Sequence, residues 1–237
     1  MSLGSDAVAS AATPRQSRKI KTRMALWCLK SSRMSLMRDL YPDPLVVMAL
    51  EQEGGEAFRT AGIPVLFTGV GKVNAAAALA WKLAEYAQSN RSLPLVINFG
   101  TAGAARLEVG GLVACNRFYQ RDMDVAPLGF APGVTPFDDS PAILEFPVMF
   151  GDLPSGICGT GDSFSTDHCG TYCDVVDMEA FALAKVCWLR GAKFAAVKYV
   201  SDNANSDAAQ SWQQQLDKAA VKFVEIYRRL DGQLAKR

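Results

Sequence analysis

From Pro44 onward the sequence alternates between short apolar runs and longer segments with the period of a helix, and this alternation strongly constrains the fold. Gly and Pro residues separate the segments. The apolar runs predict strands at residues 45–50, 64–67, 95–98, 112–115, 174–177 and 194–200. This pattern predicts an α/β fold, a single-domain three-layer sandwich with a twisted mixed central sheet flanked by helices.

Three segments carry the helical period. Residues 72–90 are rich in Ala and place Val73, Ala77, Ala80, Trp81, Ala84 and Ala87 on one face. Residues 178–190 follow Asp177, which can cap the helix, and end at Gly191. Residues 206–230 repeat apolar side chains every three or four positions. Residues 127–154 differ, because six prolines and no helical period predict loops around one or two short extended pieces.

Charge is distributed unevenly along the chain. Residues 1–38 hold eight basic side chains and one acid, although the whole chain has 25 Lys and Arg against 24 Asp and Glu. We therefore divide the chain into a basic N-terminal extension, residues 1–43, and a folded body, residues 44–237. The near-zero net charge argues against a dedicated nucleic-acid binder, and no apolar run reaches the roughly 18 residues that a membrane span needs.

The six cysteines are scattered and no secretory signal is recognised, so we expect reduced thiols and a cytoplasmic protein. His168, the only histidine, directly precedes Cys169, and Cys173 follows four residues after Cys169. A zinc site needs three or four convergent ligands, so we expect no metal there and no cofactor elsewhere. A single histidine also disfavours Ser-His and Cys-His nucleophiles, which need an imidazole base.

Polar residues follow several of the predicted strands, at the end of a sheet where ligands gather in α/β proteins. They are Glu51–Glu53, the glycine turn at 69–74, the glycine-rich segment at 98–104, the pair formed by 159–164 and 177–180, and Ser201–Asp202. Each has a structural explanation as well. Glu51 and Glu53 suit a solvated first helical turn, the glycine segments suit tight turns, and Asp202 suits a cap for the last helix.

Taken together, six segments resemble a known family in sequence and in order. They are Met48–Glu53, Thr68–Ala76, Asn98–Gly103, Gly161–Phe164, Asp177–Ala180 and Ser201–Ala204. The resemblance is to the nucleoside phosphorylase/nucleosidase family, and within it to the hydrolytic 5′-methylthioadenosine/S-adenosylhomocysteine nucleosidases. It covers about residues 44–230, and the Met-Glu-Ala and Ser-Asp-x-Ala elements are its more specific parts.

The resemblance implies cleavage of the N-glycosidic bond between ribose and a purine base. Loss of the base leaves a ribosyl cation, so an acid must protonate the leaving base and a carboxylate should stabilise the sugar. By the family pattern Asp202 is the acid toward purine N7, Glu179 binds the ribose 2′- and 3′-hydroxyls, and Glu53 orients or deprotonates the attacking water.

The resemblance also implies a set of substrate-binding residues and a small-molecule nucleoside as the partner. Met178 would pack on the ribose, Phe164 on the base, Ser201 would hold Asp202, and Thr101 would stand near the water. Gly71, Gly103 and Ser165 complete the set: Thr101, Gly103, Phe164, Ser165, Met178, Ser201 and Gly71. The family further implies a homodimer.

Three alternatives remain open. A phosphorylase of this family places an Arg shortly before the glycine segment, where this chain has Asn98 and Phe99. A non-catalytic nucleoside-binding protein would keep the fold without turnover. A nucleotide-dependent oxidoreductase would use Gly69 and Gly71, although Asn74 stands where that motif needs a small residue.

The chain departs from the nucleosidases in its proline-rich segment, residues 127–154, which is short where the family has a longer segment with a helix. That segment helps to shape the 5′ side of the family's pocket, so the 5′ substituent stays open. Trp212 suits an apolar wall for that substituent, but a Trp near the start of an amphipathic helix also suits ordinary packing.

Overall fold

The computed structural model describes residues 44–163, 172–203 and 208–234. Eight strands are present: β1 (Leu45–Met48), β2 (Val65–Phe67), β3 (Val96–Gly103), β4 (Leu112–Gln120), β5 (Ile143–Glu145), β6 (Ser155–Thr160), β7 (Val175–Asp177) and β8 (Phe194–Asp202). Four helices accompany them: α1 (Gly55–Thr60), α2 (Lys72–Gln88), α3 (Ala180–Arg190) and α4 (Ala208–Leu234). Strands and helices alternate from β1 to β3 and from β7 to α4, whereas β3 to β7 follow one another without an α-helix between them in the described residues.

The sheet is mixed and partly closed. From one edge its strands run in the order β2, β1, β3, β7, β6, β4, β5, and β8 pairs with both β3 and β4. Strand β8 is parallel to β3 and antiparallel to β4, whereas β7 is antiparallel to β3 and parallel to β6. Strands β3, β8, β4, β6 and β7 therefore form a closed ring of pairings, and β1 and β2 extend from it.

Helices cover both faces of the sheet, which confirms the three-layer arrangement. On one face α2 and α3 pack through side chains such as Leu79, Leu83 and Leu183. On the other face α1 and α4 pack through Phe58 and Phe223, whose rings both contact Phe99 of β3. All nine residues of β8 are buried, as expected of a strand covered on both faces.

The predicted apolar face of α2 is wrong. Val73 is 78% exposed and Trp81 is 76% exposed, whereas Ala75, Leu79 and Leu83 are fully buried. This helix carries apolar side chains around much of its circumference, so periodicity alone did not identify the buried face. The sheet takes up the two leucines, and an apolar surface around Val73 and Trp81 faces outward.

Three further differences come from tertiary context. The glycine-rich segment after Asn98 is strand, because β3 continues to Gly103 by pairing with β8. Strand β6 is not predicted from the sequence, because its segment SGICGT contains two glycines, which have low strand propensity. Helix α1 is only six residues long, too short to show a period.

A bulge ends the pairing of β3 with β8. Ala102 lies opposite Val200, but Gly103 lies opposite Asp202, so Ser201 is an extra residue. Bulges redirect side chains near active sites. Here the bulge places Ser201 and Asp202 at the carboxyl end of β8, beside the end of β3.

Candidate functional site

A cavity of about 220 Å³ opens at the carboxyl ends of β3 and β8. Its walls come from β1, β3, β7, β8 and α4 and from the loops that follow them. The lining residues are Ala49, Leu50, Glu53, Val70, Thr101, Ala102, Gly103, Arg121, Ser163, Val176, Asp177, Met178, Glu179, Ser201, Asp202 and Trp212. Apolar walls with a few convergent carboxylates are typical of a small-molecule site.

Three hydrogen bonds, from two backbone N–H groups and one hydroxyl, hold the carboxylate of Glu53 in this cavity. Its Oε1 accepts the backbone N–H and the hydroxyl of Thr101, both at 2.9 Å, and its Oε2 accepts the N–H of Leu50 at 3.2 Å. Glu51, two residues earlier in the same 3-10 turn, points to the surface and pairs with Arg59. The two carboxylates are therefore separated into a site residue and a solvated one.

Asp202 is buried at the end of β8. The Ser201 hydroxyl donates to its Oδ2 at 2.8 Å, and the backbone carbonyl of Asp202 accepts the N–H of Ala104 at 3.0 Å. These bonds fix both the side chain and the main chain of Asp202 at the cavity wall. The structure thus places a carboxyl group and its hydroxyl partner together, in the arrangement that the resemblance implies for Ser201 and Asp202.

Glu179 lies just before α3 and reaches across to the glycine turn. Its Oε1 accepts the N–H of Gly71 at 2.9 Å. Gly71 has a φ of +93°, a conformation that favours glycine and that points this N–H at the carboxylate. Burial, together with the nearby charge of Asp177, raises the pKa of Glu179 to about 7, and the charge of Glu53 contributes in the same direction.

A buried ion pair lies beneath Glu179. Lys198 Nζ is 2.7 Å from Asp177 Oδ2, and both side chains are 1% exposed. Asp177 also accepts hydrogen bonds from the Thr160 hydroxyl at 2.5 Å and from the N–H of Ala180 at 2.9 Å. Burial works to raise the pKa of Asp177, but Lys198 and these donors hold it below its usual value.

The same carboxylates act on Lys198. Burial works to lower the pKa of Lys198, but the charges of Asp177 and Glu179 raise it above its usual value. These carboxylates therefore favour the charged form of Lys198. Because its charge works to lower the pKa of Glu179, it limits how far burial can favour the neutral form of that residue.

Loops form the outer wall. Arg121 donates from Nη2 to the carbonyl of Ser163 at 2.5 Å, and its buried Nε has no hydrogen-bond partner among the described residues. Beside it Lys72 pairs with Asp122 at 2.5 Å, and the N–H of Asp162 donates to Asp122 at 2.9 Å. This wall is more exposed than the residues at the strand ends.

The structure brings together most of the residues predicted from sequence. Glu53, Thr101, Gly103, Met178, Glu179, Ser201 and Asp202 all line the cavity, and Gly71 contacts it through Glu179. Phe164 and Ser165 lie outside the described residues. Their roles, like those of the residues in the cavity, stay predictions.

Sequence reasoning missed Arg121 and Lys198 and treated Asp177 only as a cap. A lysine inside the otherwise apolar run at 194–200 is a signal, because a buried lysine requires a partner. The helix begins at Ala180 with Glu179 as its N-cap residue, so the prediction of Asp177 in that position is wrong. The Asp177 carboxylate still accepts the N–H of Ala180, beside its pairing with Lys198. Arg121 had no pattern around it that would identify it.

The glycine turn at Gly69 and Gly71 is not shaped for a dinucleotide. In such sites the N–H groups at the start of the helix bind the pyrophosphate. Here the N–H of Gly71 donates to Glu179 and the N–H of Lys72 donates to Asp162 at 2.8 Å. Side-chain carboxylates of this chain already occupy the donors that an anion would need.

Within the described residues, no three or more His, Cys, Asp or Glu side chains are arranged to hold a metal ion. No helix in the same part of the chain is long and apolar enough to cross a membrane. Cys115, Cys158 and Cys187 are buried free thiols, but Cys173 is disulfide-bonded, so the expectation of reduced thiols is wrong at that position.

Comparison with known proteins gives a family and close relatives. Residues 59–230 match the family model described as the phosphorylase superfamily. A 5′-methylthioadenosine/S-adenosylhomocysteine nucleosidase of Marinomonas sp. (strain MWYL1) is 30% identical over 184 residues, covering 69% of this chain and 78% of the relative. A nucleosidase of the same name from Geobacillus kaustophilus (strain HTA426) is 31% identical over 183 residues, covering 68% and 76%.

Solved structures share the fold. The same kind of nucleosidase from Neisseria meningitidis, in complex with methylthio-immucillin-A, has a TM-score of 0.67 at 26% identity and covers 81% of this chain and 98% of its own. The Colwellia psychrerythraea 34H enzyme in complex with adenine has a TM-score of 0.68 at 22% identity, covering 81% and 95%. A futalosine hydrolase mutant of Helicobacter pylori has a TM-score of 0.67 at 18% identity, covering 78% and 98%.

Proposed function

Because this chain belongs to the phosphorylase superfamily, we propose that it hydrolyses the N-glycosidic bond of a purine nucleoside of the methylthioadenosine or S-adenosylhomocysteine type. The observation that carries the proposal is the convergence of Glu53, Glu179 and Asp202 on one cavity. The names of the curated relatives supply the substrate type. The products would be the free base and the free sugar.

The proposed reaction uses each carboxyl group differently. Asp202 gives a proton to N7 of the base as the bond between C1′ and N9 breaks, so the base leaves neutral. Water adds to C1′ and gives its proton to Glu53. Glu179 accepts hydrogen bonds from the ribose hydroxyls and stabilises the positive charge that develops on the sugar. No metal or cofactor takes part in these steps.

Water suits this cavity better than phosphate does as the nucleophile. Asn98 and Phe99, which precede the glycine-rich segment, are both buried in β3, and neither is a cation. Lys198 is neutralised by Asp177, and the Glu53 carboxylate would repel a dianion. These contacts favour a hydrolase.

One observation favours a phosphate-dependent phosphorylase as the second candidate. Arg121 lines the cavity, its Nε donor has no partner in the part of the chain that the structure describes, and Arg is well suited to bind phosphate. In a phosphorylase, C1′ would receive a phosphate oxygen and the sugar would leave as its 1-phosphate. Arg121→Ala would then abolish phosphate-dependent release, whereas a hydrolase would need no phosphate.

The decisive experiment separates these reactions by their products. Purified protein is incubated with methylthioadenosine, S-adenosylhomocysteine, adenosine, inosine, futalosine or AMP, each with and without phosphate, and base and sugar are quantified by chromatography. We expect free base and unphosphorylated sugar in equal amounts, independent of phosphate. Release only with phosphate would establish the phosphorylase, and bound substrate without release would establish a non-catalytic binding protein.

Glu51 and Glu53 offer a matched pair for testing the proton acceptor. Glu53→Gln keeps the shape of the side chain but removes the charge, so we expect kcat to fall by about 100-fold or more. Glu51→Gln removes a charge two residues away on the surface and should leave kcat within about twofold. Equal rates for the two variants would remove Glu53 from the proposed mechanism.

We also infer a homodimer from the surface of α2. Val73 and Trp81 are both more than three quarters exposed on this helix, and an exposed apolar surface commonly marks a protein interface. Light scattering should give the mass of two chains for the wild type. Trp81→Glu should shift it toward one chain, and an unchanged mass would exclude this surface.

A cytoplasmic location stays a prediction. Three buried free thiols, Cys115, Cys158 and Cys187, support it, and the disulfide at Cys173 argues against it. The boundary between the basic extension and the body also stays a prediction, because residues 1–43 lie outside the described residues. Fractionation of cells that express the full chain would test the location.

A further inference from the structure

Trp212 is tied to Glu53 through a chain of two hydrogen bonds. Its indole Nε1 donates to Thr101 Oγ1 at 2.8 Å, and Thr101 Oγ1 donates to Glu53 Oε1 at 2.9 Å. The three residues come from α4, β3 and the turn after β1, which are distant in sequence. All three line the same cavity.

The chemistry of the donors fixes the direction of this chain. An indole N–H only donates, so the Thr101 oxygen must accept from it. The single hydroxyl hydrogen of Thr101 is then available for the carboxylate oxygen Oε1 of Glu53, which accepts it. Without the indole, the hydroxyl could rotate and accept from water instead. Trp212 therefore selects one of the orientations open to the hydroxyl of Thr101.

The consequence lies at the carboxylate. Oε1 of Glu53 receives both the N–H and the hydroxyl of Thr101, which occupy its two lone pairs. Oε2 receives one N–H, from Leu50, at the longer distance of 3.2 Å. No second donor to Oε2 comes from residues 44–163, 172–203 or 208–234, so one of its lone pairs remains to accept a proton from water.

We propose that Trp212 is a positioning residue for hydrolysis, which orients the Thr101 hydroxyl so that Oε2 of Glu53 is the atom that takes the proton of the attacking water. The proposal rests on the hydrolytic function proposed above. It gives Trp212 a polar role, distinct from that of an apolar wall of the pocket. A wall would act on substrate affinity, whereas a positioning residue acts on the rate of the chemical step.

A double-mutant cycle tests the link. Trp212→Phe keeps an aromatic ring but removes the donor, and Thr101→Val removes the hydroxyl. We expect Trp212→Phe to lower kcat about tenfold with KM within about twofold, and to have no further effect on kcat in the Thr101→Val background. A raised KM with unchanged kcat, or independent effects that multiply, would overturn the proposal and leave Trp212 as a wall.

Thr101→Ser is the matched control, because it keeps the hydroxyl and should retain the response of kcat to Trp212→Phe. Loss of that response in Thr101→Ser would contradict the chain of bonds. Thermal unfolding of each variant establishes that the rates are measured on folded protein. A fall in kcat that tracks only the folded fraction would also count against the proposal.

A spectroscopic arm is independent of turnover. In protein labelled with ¹⁵N-Trp, the indole N–H resonance of Trp212 is identified by its absence in Trp212→Phe. We expect Thr101→Val to shift it upfield and Thr101→Ser to leave it near its wild-type position, with the exposed indole of Trp81 as reference. An unshifted resonance in Thr101→Val would overturn the hydrogen bond. If the chromatographic assay shows no hydrolysis by the wild type, the proposed function fails, and this arm alone reports on the bond.

Discussion

The cavity has two sides that are built differently. The sheet side consists of Thr101, Asp177, Glu179 and Asp202, which line the cavity, and of Lys198, which pairs with Asp177. Hydrogen bonds and this buried ion pair hold these residues in place. The loop side consists of Arg121 and Ser163, which line the cavity, and of their chain neighbours Asp122 and Asp162, which both pair with Lys72. It is more exposed and is joined by partly solvated contacts.

This difference separates two tasks. Groups on the sheet side are held by buried neighbours, so a change there leaves a charge or a polar atom without compensation. Groups on the loop side are shared with solvent, which weakens each contact but permits adjustment. We infer that the sheet side holds the catalytic groups in place, and that the loop side affects which substrates the cavity binds.

The two sides should differ most in the effect on kcat of replacing one aspartate on each side, Asp202 and Asp162. Asp202→Asn removes the proposed acid while keeping the shape of the side chain, so we expect kcat to fall about 1,000-fold with the thermal midpoint little changed. Asp162→Asn, on the loop side, should change kcat by less than about threefold. Steady-state kinetics and thermal unfolding measure both, and a rapid Asp202→Asn enzyme would exclude Asp202 as the acid.

The next largest effect should be on folding. Lys198→Met leaves Asp177 buried without its cation, and breaking a buried pair in this way costs about 3–5 kcal/mol of unfolding free energy. The double variant Lys198→Met/Asp177→Asn removes both charges and should recover part of that loss. Urea denaturation compares the three proteins, and a double variant less stable than Lys198→Met would contradict the pairing.

Much of the sheet side could be predicted from sequence. Its residues follow apolar runs directly, and the order of the segments resembles a family, a resemblance that the match over residues 59–230 confirms. The Asp177–Lys198 pair could not be foreseen, because it joins two strands that the sequence separates by a helix. Its position depends on the closure of the sheet through β3, β8, β4, β6 and β7.

Almost nothing in the sequence pattern predicted the residues of the loop side. Arg121 enters the cavity because β4 extends to Gln120, five residues beyond the predicted strand, and then turns toward Ser163. The outward face of α2 was misjudged for a related reason, since Val73 and Leu79 are equally apolar and only the sheet decides between them. Periodicity describes one element, whereas these features depend on which elements meet.

The pH dependence of activity can sharpen the account of the sheet side. With its pKa near 7, Glu179 loses its charge as the pH falls below 7, and the protonated form is a poorer partner for a developing cation. We expect kcat/KM to fall about tenfold per pH unit below 7. At pH 8, Glu179→Gln should lower kcat/KM by a factor that corresponds to several kcal/mol of lost transition-state stabilisation. The variant should also lack the fall in kcat/KM below pH 7, the acidic limb of the pH profile. A limb that persists in Glu179→Gln would assign it to another group.

The same group makes a prediction for stability. The pKa of Glu179 is raised from 4.5 to about 7 in the folded protein, so the folded state binds more protons than the unfolded state between those values. Unfolding free energy should therefore decrease as the pH rises from 4.5 to 7, by roughly 3 kcal/mol from this group. Glu179→Gln should be free of this decrease when both proteins are unfolded in urea across that range.

The smallest effect is expected on the loop side. Lys72→Ala removes the partner of Asp122, and because this pair is partly solvated we expect a loss of less than about 1 kcal/mol. Burial works to raise the pKa of Asp122, but the hydrogen bond and charge of Lys72 hold it below 3.8. The stabilisation is therefore present above pH 3.8 and is lost as the pH falls through the lowered pKa.

Urea denaturation at pH 7 measures both variants. In 1 M salt the difference in unfolding free energy between wild type and Lys72→Ala should shrink, whereas the loss from Lys198→Met should persist because that pair is shielded from ions. Equal salt sensitivity of the two variants would remove the distinction between the sides.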